Sequence, residues 1–381
     1  MPVYFDHNAT TPLHPEALEA MQPHLTRPFG NPASVHRFGR AAHAAVQRAR
    51  DEVAALLGCR ATEVVFTSGG TESDNLAVKG VAAAQPGRAV LYGATEHPAV
   101  LEAAEALRAT GTPVEVIPVG TDGHPDWQWL EARLVHGDVA LVCLMAANNE
   151  TGVVQDIARA ARLAHAHDAL LHVDAVQAAG KMPLDFAGVD IDLLAVSAHK
   201  LFGPRGVGAL IVRAGVTVQP LHHGGGHEDN LRSGTLNAPG IVGFGAACRL
   251  AQQGMAERDA HCRALRDRLE AGLGAMDNVT IFAREQERLA NTCQFALHGF
   301  DGEAMVMAFD REGFAVSSGS ACHSEHGAPS HVLMGMGIEH DLAKAAVRVS
   351  VGPDNTEADI DNLLAALSRI RETPMAAVAA V

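Results

Sequence analysis

Apolar runs of strand length alternate with helical patterns between residues 64 and 212, and this alternation constrains the fold more than any other feature of the sequence. The runs cover residues 64–67, 89–92, 114–119, 139–147, 170–174, 193–196 and 209–212. Strands that alternate with helices predict a mostly parallel sheet covered on both faces. We therefore expect an α/β fold whose ligands bind at the carboxyl ends of the strands.

Polar residues follow these apolar runs at the points where the strands are predicted to end. They are Thr71, His97, Asn149, Asp174, Gln177, Ser197, His199 and Lys200. Because the carboxyl ends of parallel strands meet on one side of a sheet, we expect these side chains to converge there. The sequence thus predicts a polar site at the strand ends.

Three features of the predicted site suit one cofactor. The turn Ser68-Gly-Gly-Thr71 leads from a strand into a helix start whose N–H groups could bind phosphate, although generic strand–turn–helix connections share this pattern. Lys200 follows a buried strand, where desolvation lowers the pKa of an amine and favours a Schiff base; a surface lysine is the alternative. Asp174 could keep a pyridine nitrogen protonated. Together they match the requirements of pyridoxal 5′-phosphate.

Cys322 lies in a run of small residues, Ser317-Ser-Gly-Ser-Ala-Cys322. A cysteine on a polar, exposed loop has the access that a reactive thiol requires and that a core cysteine lacks. An incidental surface thiol is the alternative that these residues leave open. Cys322 is therefore a candidate nucleophile.

Composition and charge argue against several classes of protein. Acidic residues outnumber basic residues 44 to 29, and the formal charge of −15 argues against binding to nucleic acid. The six cysteines form no Cys-x-x-Cys pair and the 21 histidines show no metal-ligand spacing, so we expect reduced thiols and no metal site. The sequence shows neither a signal-peptide pattern nor an apolar run long enough to span a membrane. We expect a soluble, cytoplasmic protein.

The chain of 381 residues is long enough for a large domain and a smaller one. An amphipathic segment from residue 241 to about residue 276 separates the strand–helix alternation from a C-terminal part with shorter strands and helices. We predict a large cofactor-binding domain at residues 15–255. Residues 1–14 and 256–381 would form a smaller α+β domain that carries the Cys322 loop.

Six ordered motifs carry a resemblance to a known family. They are Thr95-Glu-His-Pro98, Asn148-Asn-Glu-Thr-Gly152, Val173-Asp-Ala-Val-Gln177, Ser197-Ala-His-Lys200, Arg232-Ser-Gly-Thr235 and Ser317-Ser-Gly-Ser-Ala-Cys322. From Tyr4 to about Gly352, the chain resembles the cysteine desulfurases of the class V aminotransferase family, in the group that serves iron–sulfur cluster and nitrogenase assembly. The resemblance implies the pyridoxal-phosphate-dependent transferase fold of the aspartate-aminotransferase type.

The resemblance also implies a role for each matching residue. Lys200 would form the Schiff base and move the Cα proton, His97 would stack on the ring and assist proton transfer, and Cys322 would be the nucleophile. The other cofactor contacts would be Gly70, Thr71, Asn149, Asp174, Gln177, Ser197, His199 and Thr235. Thr235 would reach the phosphate of the partner subunit in a homodimer. The substrate would contact Asn8, Asn149 and Arg348.

The implied reaction converts L-cysteine to L-alanine and passes the sulfur, held as a persulfide on Cys322, to an acceptor such as an iron–sulfur scaffold. Gln177 and Asn149 would contact the ring oxygen of the cofactor or the substrate. A selenocysteine lyase or another carbon–sulfur lyase is the alternative among enzymes. An inactive, cofactor-binding assembly partner is the alternative outside them.

Three segments depart from the pattern of this family, and one of them, Ala343-Lys-Ala-Ala-Val-Arg348, lacks the histidine, serine and threonine residues common before this arginine. Asp229 and Asn230 stand where relatives usually carry Arg-Gly, which changes the local charge near the entrance to the cofactor site. After Cys322, the run His323-Ser-Glu-His326 replaces one rich in threonine and serine. Its side chains could tune the pKa of the thiol, receive a metal or be solvated.

Overall fold

The computed structural model describes residues 2–27, 29–318 and 328–372. Its strands are β1 (Val3–Tyr4), β2 (Val64–Thr67), β3 (Ala89–Gly93), β4 (Val114–Ile117), β5 (Val139–Cys143), β6 (Leu170–Asp174), β7 (Leu193–Ser197), β8 (Gly208–Val212), β9 (Val279–Ile281), β10 (Thr292–Leu297), β11 (Phe314–Ala315), β12 (Ser317–Ser318) and β13 (Ala346–Ser350). Its helices are α1 (Pro15–Thr26), α2 (Arg37–Leu57), α3 (Gly70–Ala84), α4 (Pro98–Ala109), α5 (Trp127–Leu134), α6 (Ile157–His165), α7 (Phe186–Val189), α8 (Ala238–Gln253), α9 (Met255–Gly274), α10 (Gly302–Arg311), α11 (His331–Gly335), α12 (His340–Lys344) and α13 (Glu357–Glu372).

Seven strands form the larger sheet, in the order β2-β8-β7-β6-β5-β3-β4. β8 runs antiparallel to both of its neighbours, whereas the other neighbouring strands are parallel. Since β2 and β7 both oppose β8, β2 points in the same direction as the parallel strands. The mostly parallel sheet is therefore confirmed, and the carboxyl ends of β2, β7, β6, β5 and β3 lie on the same side of it.

Helices cover both faces of this sheet, as the alternation predicted. α3 and α4 pack on one face, where Leu76 and Val100 join a buried apolar cluster with sheet residues such as Leu141. α2, α5, α6 and α8 pack on the other face, where Val53 and Phe244 belong to a larger cluster. Because helices bury both faces of the sheet, polar side chains can meet at the ends of its strands.

A second sheet, in the order β12-β13-β10-β9, is antiparallel and lies in the C-terminal part of the chain. The apolar core beside this sheet contains Phe295, Phe309 and Leu363, together with Phe5 from the N-terminal arm, which is the segment of residues 2–14 before α1. The predicted amphipathic segment forms two helices, α8 and α9, which Gly254 separates. The predicted domain boundary at residue 255 coincides with this break and stays a prediction. Within the described ranges, no helix is long and apolar enough to cross a membrane.

Candidate active site

The strand-end residues singled out in the sequence belong to neighbouring strands of the larger sheet. Ser197 ends β7, Asp174 ends β6, and these two strands pair directly. Asn149 follows β5 and His97 follows β3, and each of these strands is the next one along the sheet. The sheet order therefore brings the predicted site residues to one side of the fold.

The turn between β2 and α3 forms a tight cradle at the helix start. α3 begins at Gly70, two residues earlier than the helical pattern indicated, and Gly69 has a φ of +154°. A Cβ at Gly70 would lie 2.8 Å from the Val176 side chain and 3.7 Å from Ser197 Cβ. Only glycine allows this approach, which leaves the backbone N–H groups of the first turn available to an anion next to Ser197.

Three carboxyl groups are buried beneath the strand ends: Asp74, Glu96 and Asp174. Burial raises the pKa of each above its usual range, and the pKa of Asp174 reaches about 7. Asp174 Oδ1 accepts a hydrogen bond from the backbone N–H of Val176 at 2.8 Å, and Asp74 Oδ1 lies 3.0 Å from His172 Nε2. Because a nearby cation favours the ionised form of a buried carboxyl, Asp174 suits a protonated ring nitrogen.

Lys200 lies in a single helical turn after β7, against the N-terminal arm. Its Nζ donates to the backbone oxygens of Asn8 at 2.5 Å and Ala9 at 2.9 Å. His199 Nδ1 lies 3.1 Å from Thr10 Oγ1, and burial lowers the pKa of His199 to about 4, with a further contribution from Lys200. The arm thus holds the amine at the strand ends.

His97 is the N-cap of α4, and Pro98 occupies the first position of that helix. Its Nδ1 accepts a hydrogen bond from the backbone N–H of Ala99 at 3.1 Å. In the neutral ring, the proton is therefore on Nε2. The cap fixes both the orientation and the tautomer of a half-buried imidazole, as a ring-stacking proton carrier requires.

Asn149 and Arg348 leave buried hydrogen-bonding atoms without a partner among the described residues. The backbone oxygen of Asn149 accepts from Arg348 Nη1 at 3.0 Å, and Arg348 Nη2 donates to Asp6 Oδ1 at 2.7 Å. The atoms without a partner are Asn149 Oδ1 and Arg348 Nε. Buried polar atoms are nearly always satisfied, so this acceptor and this cationic donor, which have no partner among the described residues, are available to a polar or anionic ligand.

Asn8 differs from Asn149 because its side-chain amide is saturated. Its Oδ1 accepts from Lys181 Nζ at 2.8 Å and from Asn291 Nδ2 at 2.9 Å. Its Nδ2 donates to the backbone oxygen of Asn149 at 3.1 Å and to Thr292 Oγ1 at 2.9 Å. An amide offers two acceptor positions and two donors, and all four are used. The predicted contact of Asn8 with substrate stays a prediction, and in this structure the residue joins neighbouring segments.

The segment at Asp229, which departs from the family pattern, has three successive residues in the left-handed backbone conformation. Glu228, Asp229 and Asn230 have φ values of +49°, +52° and +66°, and asparagine tolerates this left-handed conformation better than most residues other than glycine. The Glu228 carboxylate accepts from the backbone N–H of Phe66 at 2.7 Å and pairs with Arg50 at 2.6 Å. The segment is thus anchored to β2, at the edge of the larger sheet.

Two predicted residues have no described contact with this site. Thr235 is exposed on the connection between β8 and α8, and its role toward a partner subunit stays a prediction. Cys322 lies outside the described residues, as do His323 and His326. Within residues 2–27, 29–318 and 328–372, no group of histidine, cysteine, aspartate or glutamate residues could hold a metal ion.

The sequence interpretation missed several residues that contact the site. They are Asp74, His172, Lys181, Asn291 and Thr292. His172 could have been found, because it lies two residues before Asp174 and alternate residues of a strand share a face. Lys181 lies four residues after Gln177, a spacing that brings two side chains together if the segment is helical. The other contacts join distant parts of the chain.

The residues present fit pyridoxal 5′-phosphate. The glycine turn offers N–H groups to a phosphate. Asp174 is a buried carboxyl group with a raised pKa, and a positively charged ring nitrogen next to it would lower that pKa and stabilise the carboxylate. Lys200 supplies an amine next to them. On the same side, Asn149 Oδ1 has no partner among the described residues and can accept a hydrogen bond from a ligand.

Comparisons with known proteins identify the family of this chain. The aminotransferase class-V family model matches residues 3–363. A cysteine desulfurase from Cereibacter sphaeroides is 47% identical over 372 residues, which are 97% of this chain and 95% of the relative. The cysteine desulfurase IscS of Anaeromyxobacter sp. (strain Fw109-5) is 46% identical over 371 residues, which are 96% of this chain and 91% of the relative.

A solved structure of a NifS-like protein is similar to this chain with a TM-score of 0.91 at 36% sequence identity. The likeness covers 98% of this chain and 100% of the NifS-like protein. The expected fold of the pyridoxal-phosphate-dependent transferases is therefore confirmed. The chain belongs to the class V aminotransferase family and, within it, to the cysteine desulfurases.

Proposed function

We propose that this chain is a pyridoxal-phosphate-dependent cysteine desulfurase that converts L-cysteine to L-alanine and carries the sulfur on Cys322. The observation that carries the proposal is a pair of buried atoms without a partner among the described residues, Asn149 Oδ1 and Arg348 Nε, beside the arm that holds Lys200. An amino-acid substrate has a carboxylate for the guanidinium and an amine that can react where lysine binds the cofactor. The names of the relatives support cysteine as that amino acid.

Residues at the strand ends would hold the cofactor at separate points. Lys200 would bind it covalently, Asp174 would face its ring nitrogen, and His97 would stack on its ring. The phosphate would be held by Gly70, Thr71, Ser197 and His199. The cofactor, when bound, supplies an electron sink for the pair left when the Cα–H bond of the substrate breaks.

Side chains of this chain would then orient the substrate and move its proton. Arg348 would bind the carboxylate of L-cysteine, since its guanidinium is buried and has one donor without a described partner. Lys200 would move the Cα proton, and His97 could assist because its Nε2 carries the mobile hydrogen. A fixed carboxylate restricts the direction of the Cα–H bond, which favours one reaction over others.

Cys322 would act as the nucleophile. Its thiolate would attack the sulfur of the substrate, so that an S–S bond forms while the C–S bond breaks. The electron pair of the broken bond would go to the substrate carbon, which takes up a proton to become the methyl group of alanine. The sulfur would stay on Cys322 as a persulfide until a thiol of an acceptor removes it.

We further propose a homodimer in which Thr235 contacts the phosphate of the partner subunit, and an acceptor such as an iron–sulfur scaffold. The exposure of Thr235 is compatible with such an interface. A cytoplasmic location is supported by the scattered cysteines, since the five that the structure describes are free thiols. The excess of acidic residues supports an absence of nucleic-acid partners.

Substitution of Cys322 by alanine tests the proposal. We expect the Cys322→Ala variant to bind pyridoxal phosphate normally, as visible absorbance reports, and to lose sulfide and alanine production from L-cysteine. Cys59→Ala is the matched control, because Cys59 is a partly buried thiol remote from the strand ends. Undiminished production in Cys322→Ala would contradict the persulfide role.

Parallel assays separate the proposal from its alternatives. Selenocysteine as the preferred substrate would indicate a selenocysteine lyase. A protein that binds the cofactor through Lys200 but turns over neither substrate would indicate an assembly partner. Loss of the cofactor absorbance in Lys200→Ala, but not in Cys322→Ala, would distinguish cofactor attachment from sulfur transfer.

A further inference from the structure

Lys181 places its amine between two side-chain amides of the site. Its Nζ donates to Asn8 Oδ1 and to Gln177 Oε1, both at 2.8 Å. Neither the family motifs nor the proposed reaction uses this lysine. A half-buried amine that satisfies two site residues at once is more than a surface charge.

The amine determines which end of each amide faces the site. An amide has an oxygen that only accepts and an NH₂ group that only donates. Because Lys181 Nζ donates, both oxygens point toward it and both NH₂ groups point away. The NH₂ group of Gln177 donates to the Asn8 backbone oxygen at 2.9 Å, and that of Asn8 donates to the Asn149 backbone oxygen at 3.1 Å.

Asn8 connects this arrangement to the groups that would react. Its backbone oxygen accepts from Lys200 Nζ at 2.5 Å, and its side chain reaches the same Asn149 backbone oxygen that Arg348 Nη1 contacts at 3.0 Å. Asn8 therefore connects Lys181 with Lys200, whose amine would move the proton. It also connects Lys181, through the Asn149 backbone oxygen, with Arg348, whose guanidinium would bind the carboxylate. A rotated Asn8 amide would place two acceptors, its own oxygen and that of Asn149, against each other.

We propose that Lys181 is a positioning residue of the desulfurase site: its amine fixes the amide orientations of Asn8 and Gln177, and through Asn8 it keeps Lys200 and Arg348 in place. The inference rests on the proposed function. It assigns Lys181 no contact with substrate or cofactor. Gln177, held in this orientation, would present a donor to the ring oxygen of the cofactor.

The local charges suit this role. Burial, and after it the charges of the neighbouring cations Lys200 and Arg348, lower the pKa of Lys181 to about 7. A neutral amine still has two N–H donors, one for each amide oxygen. The titratable and charged groups that act on Lys181 or line the same cavity include His7, Lys200, Arg258, Asp259, Cys262 and Arg348.

The test compares Lys181→Met with Lys181→Arg in the cofactor-loaded enzyme. Methionine keeps the apolar stem but removes both donors, so we expect kcat/KM for L-cysteine to fall about 10- to 100-fold. Arginine keeps donors for both oxygens, and it should stay within about threefold of the unmodified enzyme. Lys344→Met is the matched control, since Lys344 is 40% exposed and pairs with Asp301 on the surface.

A second measurement does not depend on turnover. Loss of the Gln177 donor should raise the pH midpoint of the bound cofactor's visible absorbance by about one pH unit in Lys181→Met, because a donor to the ring oxygen favours its anionic form. Lys181→Arg and Lys344→Met should keep the midpoint. A purely structural lysine would change the unfolding temperature of Lys181→Met but neither the midpoint nor kcat/KM, and that result would overturn the proposal.

Failure of either claim can be recognised separately. If the unmodified enzyme released no sulfide, the proposed function would fail, while the absorbance titration would still decide whether Lys181 orients the amides. If Lys181→Met did not fold, Lys181→Arg would carry the test. A shifted midpoint or a loss of more than tenfold in that variant would overturn the inference.

Discussion

The two sides of the site are built in opposite ways. On the strand-end side, the side chains of Asp74, Glu96 and Asp174 are buried acids with few hydrogen-bond partners. On the arm side, Asn8 and Lys181 use their hydrogen-bonding groups on one another and on neighbouring backbone. Burial on the strand-end side sets the protonation of the carboxyl groups, whereas hydrogen bonds on the arm side fix the positions of the side chains.

Burial dominates the strand-end side. Glu96 Oε1 accepts from the backbone N–H of Met145 at 2.7 Å, and its Oε2 has no partner among the described residues. The raised pKa of Asp174 depends first on burial and second on the charge of Asp74. A side chain in this state responds strongly to an incoming cation.

Hydrogen bonds dominate the arm side. The four bonds of the Asn8 amide have lengths between 2.8 and 3.1 Å. A saturated amide costs much to rotate, because each broken bond leaves a buried group unsatisfied. This difference teaches that one site can raise the pKa of a carboxyl group by burying it with few hydrogen-bond partners and can fix a side-chain amide by satisfying all of its hydrogen-bonding groups.

The largest expected effect comes from Arg348, the cation on the arm side. Arg348→Met removes the proposed partner of the substrate carboxylate, and kcat/KM for L-cysteine should fall by about 10²- to 10⁴-fold, mainly through a raised KM. Steady-state kinetics measure this, with Arg268→Met as the control because Arg268 pairs with Asp361 on the surface. An unchanged kcat/KM would remove Arg348 from substrate binding.

The next prediction compares the stability cost of removing two side-chain amides: that of Asn8, whose hydrogen-bonding positions are all used, and that of Asn149, whose oxygen has no described partner. Asn8→Ala breaks four hydrogen bonds and should lower the free energy of unfolding of the cofactor-free protein by about 2–3 kcal/mol. Asn149→Ala removes an oxygen without a described partner and should cost less than about 1 kcal/mol. Urea unfolding measures both. Equal losses would show that the two sides do not differ in this respect.

The smallest expected effect is the pH dependence of the free energy of unfolding that Asp174 causes. Its pKa is about 7 in the folded protein and 3.8 for an unperturbed aspartate, so the folded state binds the proton more tightly. The resulting stability is present below about pH 4 and is lost as the pH rises through 7. The isosteric Asp174→Asn variant has no such loss.

The advantage in unfolding free energy of Asp174→Asn over the unmodified, cofactor-free protein should grow by about 1.4 kcal/mol per pH unit between pH 5 and 7. Denaturant unfolding at several pH values measures it. Histidines with lowered pKa, such as His199, are present in both proteins and largely cancel in the difference. Parallel pH profiles would contradict a strongly perturbed Asp174.

Much of the fold and part of the site could be predicted from particular residues. Strands β2 and β6 have the predicted bounds, because apolar runs with clear polar ends leave little choice. Gly58 caps α2 in the left-handed conformation expected of a glycine after a helix. The helical pattern in the sequence begins two residues after the start of α3, because glycines carry no helical pattern although the backbone N–H groups of a helix start can bind an anion.

The sequence by itself determined the alternation of strands and helices and the order of polar residues at the strand ends, since both depend on patterns within a few neighbouring residues. Only the tertiary structure decided which side-chain atoms form hydrogen bonds and which have no partner among the described residues. Asn8 and Lys181 are 173 positions apart, and Asn8 and Asn291 are 283 apart. Contacts at such separations arise from packing. They saturate the side-chain amide of Asn8, whereas Asn149 Oδ1 has no partner among the described residues and is available to a ligand.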